Sequence, residues 1–305
     1  VAFDITIRGL KKRFDHVLAV DNLDLTVREG EMMGLIGPDG AGKTTLLRIL
    51  CGLYTADAGE CWIGGLDTAK NIRAVRSFVG YMPQRFSLYP DLTVAENLRF
   101  FADLFQVTRE EHKKRMERLL EFNRLGPFLK RRAADLSGGM KQKLALSCTL
   151  IHTPHILLLD EPTTGVDPLS RREFWKILND LRAGGVTLLV TTPYMDEAAK
   201  CDRVAFIHKG KILLVSAPKK IADQFEKTLL EVRCEQNVRA ARGLSSDPQF
   251  GAVHIYGDRL HVSGREGLEA MKKGIRRTLD AQGIRIYSIQ KIRAGIEDVF
   301  VDRLK

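Results

Sequence analysis

Residues 32–50 read "MMGLIGPDGAGKTTLLRIL". An apolar run leads into a glycine-rich loop, and the loop into an amphipathic helical pattern. Gly37 to Thr44 fits G-x-x-x-x-G-K-[ST]. Glycines at 37, 40 and 42 let the main chain come close to phosphate oxygens. Gly37, Pro38, Asp39, Gly40, Ala41, Gly42, Lys43, Thr44 and Thr45 are the expected nucleotide-binding stretch. Its consecutive N–H groups form an anion cradle, and the following helix adds its positive end. Lys43 is expected to reach the β- and γ-phosphates, and the Thr44 hydroxyl to bind Mg²⁺.

A phosphate cradle of this kind needs a carboxylate on the metal side, and "HILLLDEP" (155–162) supplies one. Ile156 to Leu159 read as a strand buried on both faces of a parallel sheet. Asp160 then falls at its C-terminal end, where open α/β sheets bind ligands. Asp160 is the expected Mg²⁺ partner, and Glu161 the base that orients or activates water. Between the two motifs lies "DLSGGMKQKLALSCTL" (135–150). Ser137, Gly138 and Gly139 open a helix, which is again a phosphate-binding arrangement. One cradle already satisfies this chain's own nucleotide, so the second site suggests a nucleotide held by another subunit.

Taken together these motifs resemble the nucleotide-binding subunits of ABC (ATP-binding cassette) transporters, over roughly residues 5–220. "GPDGAGKTT" looks like Walker A and "ILLLDEP" like Walker B. "LSGGM" looks like the signature sequence, with Met140 where glutamine is commoner. "YMPQ" (81–84) looks like the Q-loop, carrying Gln84 towards Mg²⁺, and "TTGVDP" (163–168) like the D-loop. Phe14 lies where the family stacks an aromatic ring on adenine; the alternative is a core residue between strands. The resemblance implies a P-loop α/β cassette that binds ATP and Mg²⁺. It also implies head-to-tail closure of two cassettes over two ATP molecules, driving a pair of membrane domains.

"TTPYMDEAAK" (191–200) departs from the family pattern. A strand ends in Thr191-Thr192, and the switch histidine expected next is Pro193. Proline has no side-chain donor and no backbone N–H. The expectation is a site that binds ATP and hydrolyses it slowly, within a pair of unequal cassettes. Tyr194 or a rearranged loop filling the role is the rival reading.

Composition narrows the setting. The chain has 305 residues, 44% hydrophobic and 28% charged, as in ordinary globular proteins. The net charge of +10 fits nucleic acid, an acidic membrane surface, phosphate ligands or a plain basic surface. No apolar run approaches the ~18–20 residues of a membrane span. No secretory leader pattern is present. Five scattered cysteines without a CxxC read as reduced, buried thiols of a cytosolic protein. His152 and His155 lack the companions a zinc site needs. The chain begins at Val1, which suggests a piece of a longer protein.

Two domains are expected: a cassette over 1–222, with a helical subdomain over about 91–154, and an accessory unit over 226–305. The accessory order β-α-β-β-α-β suggests a ferredoxin-like layer. Its end, "IEDVFVDRL", resembles efflux ATPases that serve ABC-2-type permeases, and the set "GPDGAGKTT", "LSGGMKQK", "YMDEA" and "EDVFVDRL" looks like the first cassette of a tandem pair. Phe86, Leu88 and Tyr89 suit contact with a permease, or local core packing. The expected role is peripheral, on the cytoplasmic membrane face, powering efflux with no nucleic acid bound. A soluble ABC ATPase acting on nucleic acid or ribosomes is the alternative. Lys43 and Ser137 leave no room between them for the long coiled coil of such proteins.

Overall fold

The computed structural model describes residues 2–85 and 88–303, and the chain divides into compact units at Val215/Ser216. The first unit holds β1 (Ile5–Phe14), β2 (Val17–Val27), β3 (Met32–Ile36), β4 (Ala58–Ile63) and β5 (Leu66–Asp67). It continues with β6 (Val79–Met82), β7 (Ile156–Asp160), β8 (Thr187–Thr192), β9 (Arg203–His208) and β10 (Lys211–Ser216). Its helices are α1 (Lys43–Leu50), α2 (Ile72–Phe78), α3 (Val94–Leu104), α4 (Arg109–Asn123), α5 (Gly138–Leu150), α6 (Pro168–Ala183) and α7 (Met195–Ala198).

The central sheet has the order β10-β9-β3-β8-β7-β6. Every residue of β3, β7 and β8 is buried, as the unbroken apolar runs require of strands covered on both faces. The parallel register sets Ile36 beside Thr192 and Asp160 beside Thr191. The C-terminal ends of three strands distant in sequence therefore open at one edge. A second, antiparallel sheet, β2-β1-β4-β5, packs its alternating apolar side (Ile5, Ile7, Leu10) on the core shared with α1.

The helical part expected between Walker A and Walker B is formed by α3, α4 and α5 around Val94, Leu98, Leu120, Leu144 and Cys148. Two T-x-x-E sequences start the first two helices. Thr93 with Glu96, and Thr108 with Glu111, each make a reciprocal capping box. Along α4 only Leu120 and Asn123 are buried, so the charges of "KKRMER" form a solvated face. Leu88 packs on this subdomain core, whereas Tyr89 is exposed against Phe100, with ring centroids 4.5 Å apart. Phe86 lies outside the described residues.

The second unit holds α8 (Pro218–Ile221), β11 (Thr228–Cys234), α9 (Asn237–Ser245), β12 (Val253–Tyr256), β13 (Arg259–Gly264), α10 (Leu268–Asp280), β14 (Ile286–Lys291) and α11 (Ile296–Arg303). It begins earlier than the expected 226 because α8 packs against α11. The antiparallel order β12-β13-β11-β14 is the ferredoxin-like arrangement. Ala240 and Leu244 of α9, with Met271 and Ile275 of α10, close one face over Leu230, Val232 and Val262. His261 Nδ1 meets Asp298 Oδ1 of α11 at 2.7 Å, and Asp298 also accepts the N–H of Gly295.

All five cysteines are free and buried. His152 stacks on Phe105 and His155 on Phe3, each at 4.0 Å. No helix among the described residues is long and apolar enough to cross a membrane.

Candidate functional site: a phosphate cradle at three strand ends

The loop after β3 is shaped by close approach. A Cβ at Gly37 would overlap the Ile207 carbonyl, and one at Gly42, where φ is 107°, would overlap that of Ala19. Only glycine lets neighbouring strands press the loop into a cradle. Lys43, 4% exposed, folds back over the loop. Its Nζ donates to the carbonyls of Gly37 (2.8 Å) and Pro38 (3.1 Å) and stands 3.1 Å from Glu161 Oε1.

The expected metal-side residues meet here. Asp160 Oδ1 accepts hydroxyl bonds from Thr44 (3.1 Å) and Thr191 (2.8 Å). Its second oxygen, Oδ2, is buried without a hydrogen-bond partner. Burial pushes the Asp160 carboxyl above the ordinary aspartate range; the two threonine bonds pull the other way and do not cancel it. Glu161 follows in the left-handed region, at φ 47°. Its N–H donates to Thr191 Oγ1 at 2.9 Å. Residues other than glycine populate this backbone region sparsely. Here the turn aims the carboxylate back at the cradle, where Oε2 accepts from Gln84 Nε2 at 2.9 Å and Thr164 Oγ1 at 3.3 Å.

These groups bound a cavity of about 550 Å³. Asp39 to Thr45, Gln84 and Glu161 line it, and so does Pro193. Ala19 and Thr164 line it too and were not among the expected site residues, and so does Tyr194, the rival candidate for the switch role. Thr164 and Tyr194 border motifs legible in the sequence, whereas Ala19 comes from β2 and carries no local signal. Phe14 stands outside the lining, at the end of the hairpin that carries Ala19, and is 37% exposed.

The signature residues belong elsewhere. Ser137 caps α5 by accepting the Met140 N–H at 3.3 Å. Ser137 and Gly138 face solvent, Gly139 is buried against Ser170, and none of Ser137 to Met140 lines the cavity. Their exposed, capped helix start takes no part in lining this chain's own cavity.

One group was missed entirely. Glu197, wholly buried, accepts the hydroxyls of Thr163 (2.6 Å) and Thr192 (2.5 Å), with Arg171 Nε 3.6 Å away. The Arg171 guanidinium lies 4.3 Å from the Tyr194 ring centroid. The segment carrying Pro193 and Tyr194 is thereby fastened both to the turn after Glu161 and to α6.

Comparison with known proteins agrees with this geometry. The family model described as ABC transporter matches residues 20–164. A "Probable multidrug ABC transporter ATP-binding protein YbhF" of Escherichia coli (strain K12) is 43% identical over 98% of this chain and 52% of its own length. The chain thus spans about half of that relative. "Nod factor export ATP-binding protein I" of Burkholderia lata is 41% identical over 97% of this chain and 95% of its own. Among solved structures, an ATP-binding subunit of an ABC transporter matches at 30% identity with a TM-score of 0.66, over 72% of this chain and 92% of its own. With the cradle, the paired carboxylates and the exposed signature in one fold, the chain belongs to the ATP-binding cassette ATPases of the ABC transporter family.

Proposed function

We propose that the chain is the ATP-binding subunit of an exporter, coupling ATP binding and hydrolysis to efflux through separate membrane domains. The observation that carries this reading is the meeting of Lys43, Glu161 and Gln84 at one cavity, with buried Asp160 bonded to Thr44 of its lining, while no signature residue lines it. A second cassette, unequal to this one, supplies the signature over this chain's nucleotide. The exposed Tyr89, Phe100, Leu104 and Phe105 of the helical subdomain give an ABC-2-type permease an apolar surface. That partner fixes the chain to the cytoplasmic face of the membrane.

The residues present fit Mg²⁺. The unpartnered Asp160 Oδ2 and the adjacent Thr44 hydroxyl are hard oxygen ligands, with Gln84 at the same cavity. No group of three or more His, Cys, Asp or Glu that could hold a metal occurs among the described residues. Thr44, Asp160 and Gln84 would hold Mg²⁺ on the protein side, where it would neutralise charge on the phosphate oxygens.

In the reaction water attacks the γ-phosphorus, the bond to the β–γ bridging oxygen breaks, and ADP and phosphate leave. Lys43 and the loop N–H groups hold the phosphates. Glu161 orients the water and takes its proton, and Gln84 holds that carboxylate in place. Phe14 stacks on the base. Pro193 occupies the switch position and offers no donor to the γ-phosphate, so turnover at this site is slow.

The test is phosphate release by purified chain with Mg-ATP, alone and in membranes holding its permease, against Lys43→Ala. Saturable ATP binding with turnover that rises in the permease membranes is expected. Binding without any response to the permease, and release from membranes by salt, would overturn the transport reading.

A further inference from the structure

The end of β1 that carries Phe14 is fastened to the segment following the phosphate-binding helix. Asp57 accepts the Arg13 N–H at 2.6 Å and the Lys12 ammonium at 2.8 Å, and its own N–H donates to the Lys11 carbonyl at 2.9 Å. Tyr54 stands between the two elements. Its ring meets Phe14 edge-on, with centroids 5.2 Å apart and planes at 67°. Its hydroxyl accepts from Arg48 Nη1 at 2.9 Å. Arg48 is in the last turn of α1, the helix whose first residue is Lys43.

We infer that Tyr54 is a positioning residue for the nucleobase end of the site. One side chain grips the helix that holds the phosphates, and its ring edge sets the tilt of Phe14. The separation between base platform and cradle is then fixed by a Phe14–Tyr54–Arg48 chain in addition to the hairpin turn at Asp15, where φ is 47°. Edge-to-face aromatic pairs have a preferred geometry and a measurable energy, so the tilt is held with some stiffness. Phe14 is 37% exposed, with the Lys12 ammonium 5.3 Å from its ring centroid. The consequence is selectivity: the chain favours a nucleoside triphosphate over the bare polyphosphate that the cradle alone would accept. This rests on the reading of Phe14 as the base-stacking residue.

The experiment is calorimetric binding of ATP and of inorganic tripolyphosphate to wild type, Tyr54→Ala, Tyr54→Phe, Phe14→Ala and the Tyr54→Ala/Phe14→Ala double variant. Tyr54→Ala is expected to weaken ATP about 3- to 10-fold, the worth of such a ring pair, and to leave tripolyphosphate within about twofold. Tyr54→Phe, which keeps the ring but loses Arg48, should fall between. The double variant should bind ATP no more weakly than Phe14→Ala, because the two rings act as a unit. An equal loss for both ligands would make Tyr54 a mere support of α1 and overturn the inference; so would additive losses. If Phe14→Ala weakens ATP and Tyr54→Ala does not, this inference alone falls. If Phe14→Ala leaves ATP binding unchanged, the base-stacking reading falls first. Should Tyr54→Ala fail to fold, Tyr54→Leu keeps bulk without an aromatic edge and is read by the same ratio of ligands.

Discussion

Lys43 Nζ and Glu161 Oε1 stand 3.1 Å apart, the ammonium from the start of α1 and the carboxylate from the turn after β7. Both side chains are nearly buried, at 4% and 7% exposed, so each is the other's main charge partner. An incoming triphosphate competes with Glu161 for Lys43. Glu161→Gln removes that competition and the base together. Its phosphate release should fall about 10²–10⁴-fold while its ATP affinity equals or exceeds wild type. Weaker ATP binding in stopped-flow or calorimetric titration would contradict this. Lys43→Ala strands the carboxylate and should cost about 1–3 kcal/mol of stability, at the low end because the cavity admits water.

Pro193 and Tyr194 both border the cavity, but the Tyr194 ring is held against Arg171. Pro193→His should raise single-site turnover by up to about 10²–10³-fold, the worth of one well-placed donor, and the gain should grow with protein concentration as cassettes pair. If wild type turns over briskly, histidine adds nothing and Tyr194→Phe slows the reaction, then Tyr194 fills the switch role.

Burial holds the Asp160 carboxyl above the ordinary aspartate range. The folded chain therefore binds this proton more tightly than the unfolded one. The residue's contribution to stability is fully present below the unfolded pKa and is lost as pH rises through the folded value. Mg²⁺ needs the ionised form, so Mg²⁺-dependent ATP affinity should decline on acidification at a higher pH than an ordinary aspartate would give. Asp160→Asn should remove the Mg²⁺ dependence at every pH. It should also raise stability at neutral pH by about 1 kcal/mol, roughly 2–4 °C in Tm. A variant less stable than wild type would show that the buried oxygen carries no penalty.

Glu197 accepts from Thr163 and Thr192 in a fully buried position. Glu197→Ala leaves two hydroxyls without their acceptor and removes the carboxylate 3.6 Å from Arg171 Nε. Chemical denaturation should reveal a loss of about 2–4 kcal/mol. Glu197→Gln, which keeps one acceptor, should lose roughly 1 kcal/mol.

A Cβ at Gly139 would overlap Ser170 of α6. Gly139→Ala should therefore displace the signature from α6. ATP affinity at the chain's own cradle should hold within about twofold, since no signature residue lines it. ATP-driven pairing of cassettes, followed by light scattering, should be lost.

The sequence alone determined whatever lies within one contiguous stretch. The cradle is nine consecutive positions, Gly37 to Thr45, whose glycines and lysine act through local backbone geometry. The unbroken apolar run before Asp160 announced a doubly covered strand. The C-terminal layer was equally readable because its hairpin turn, Gly257-Asp258, and its helices are short-range features. Tertiary structure decided the rest. Parallel strands are joined by long crossovers, so residues adjacent at the sheet edge are far apart in the chain. Thr191 reaches Asp160 only because β8 lies between β3 and β7 in one register. Ala19 meets the cradle across sheets, and Glu197 joins three elements that share no local signal. Pro193 was legible as an oddity in "TTPYMDEA", but its place on the cavity wall beside Glu161 is set by packing, because a strand's own propensity fixes neither its neighbours nor its register.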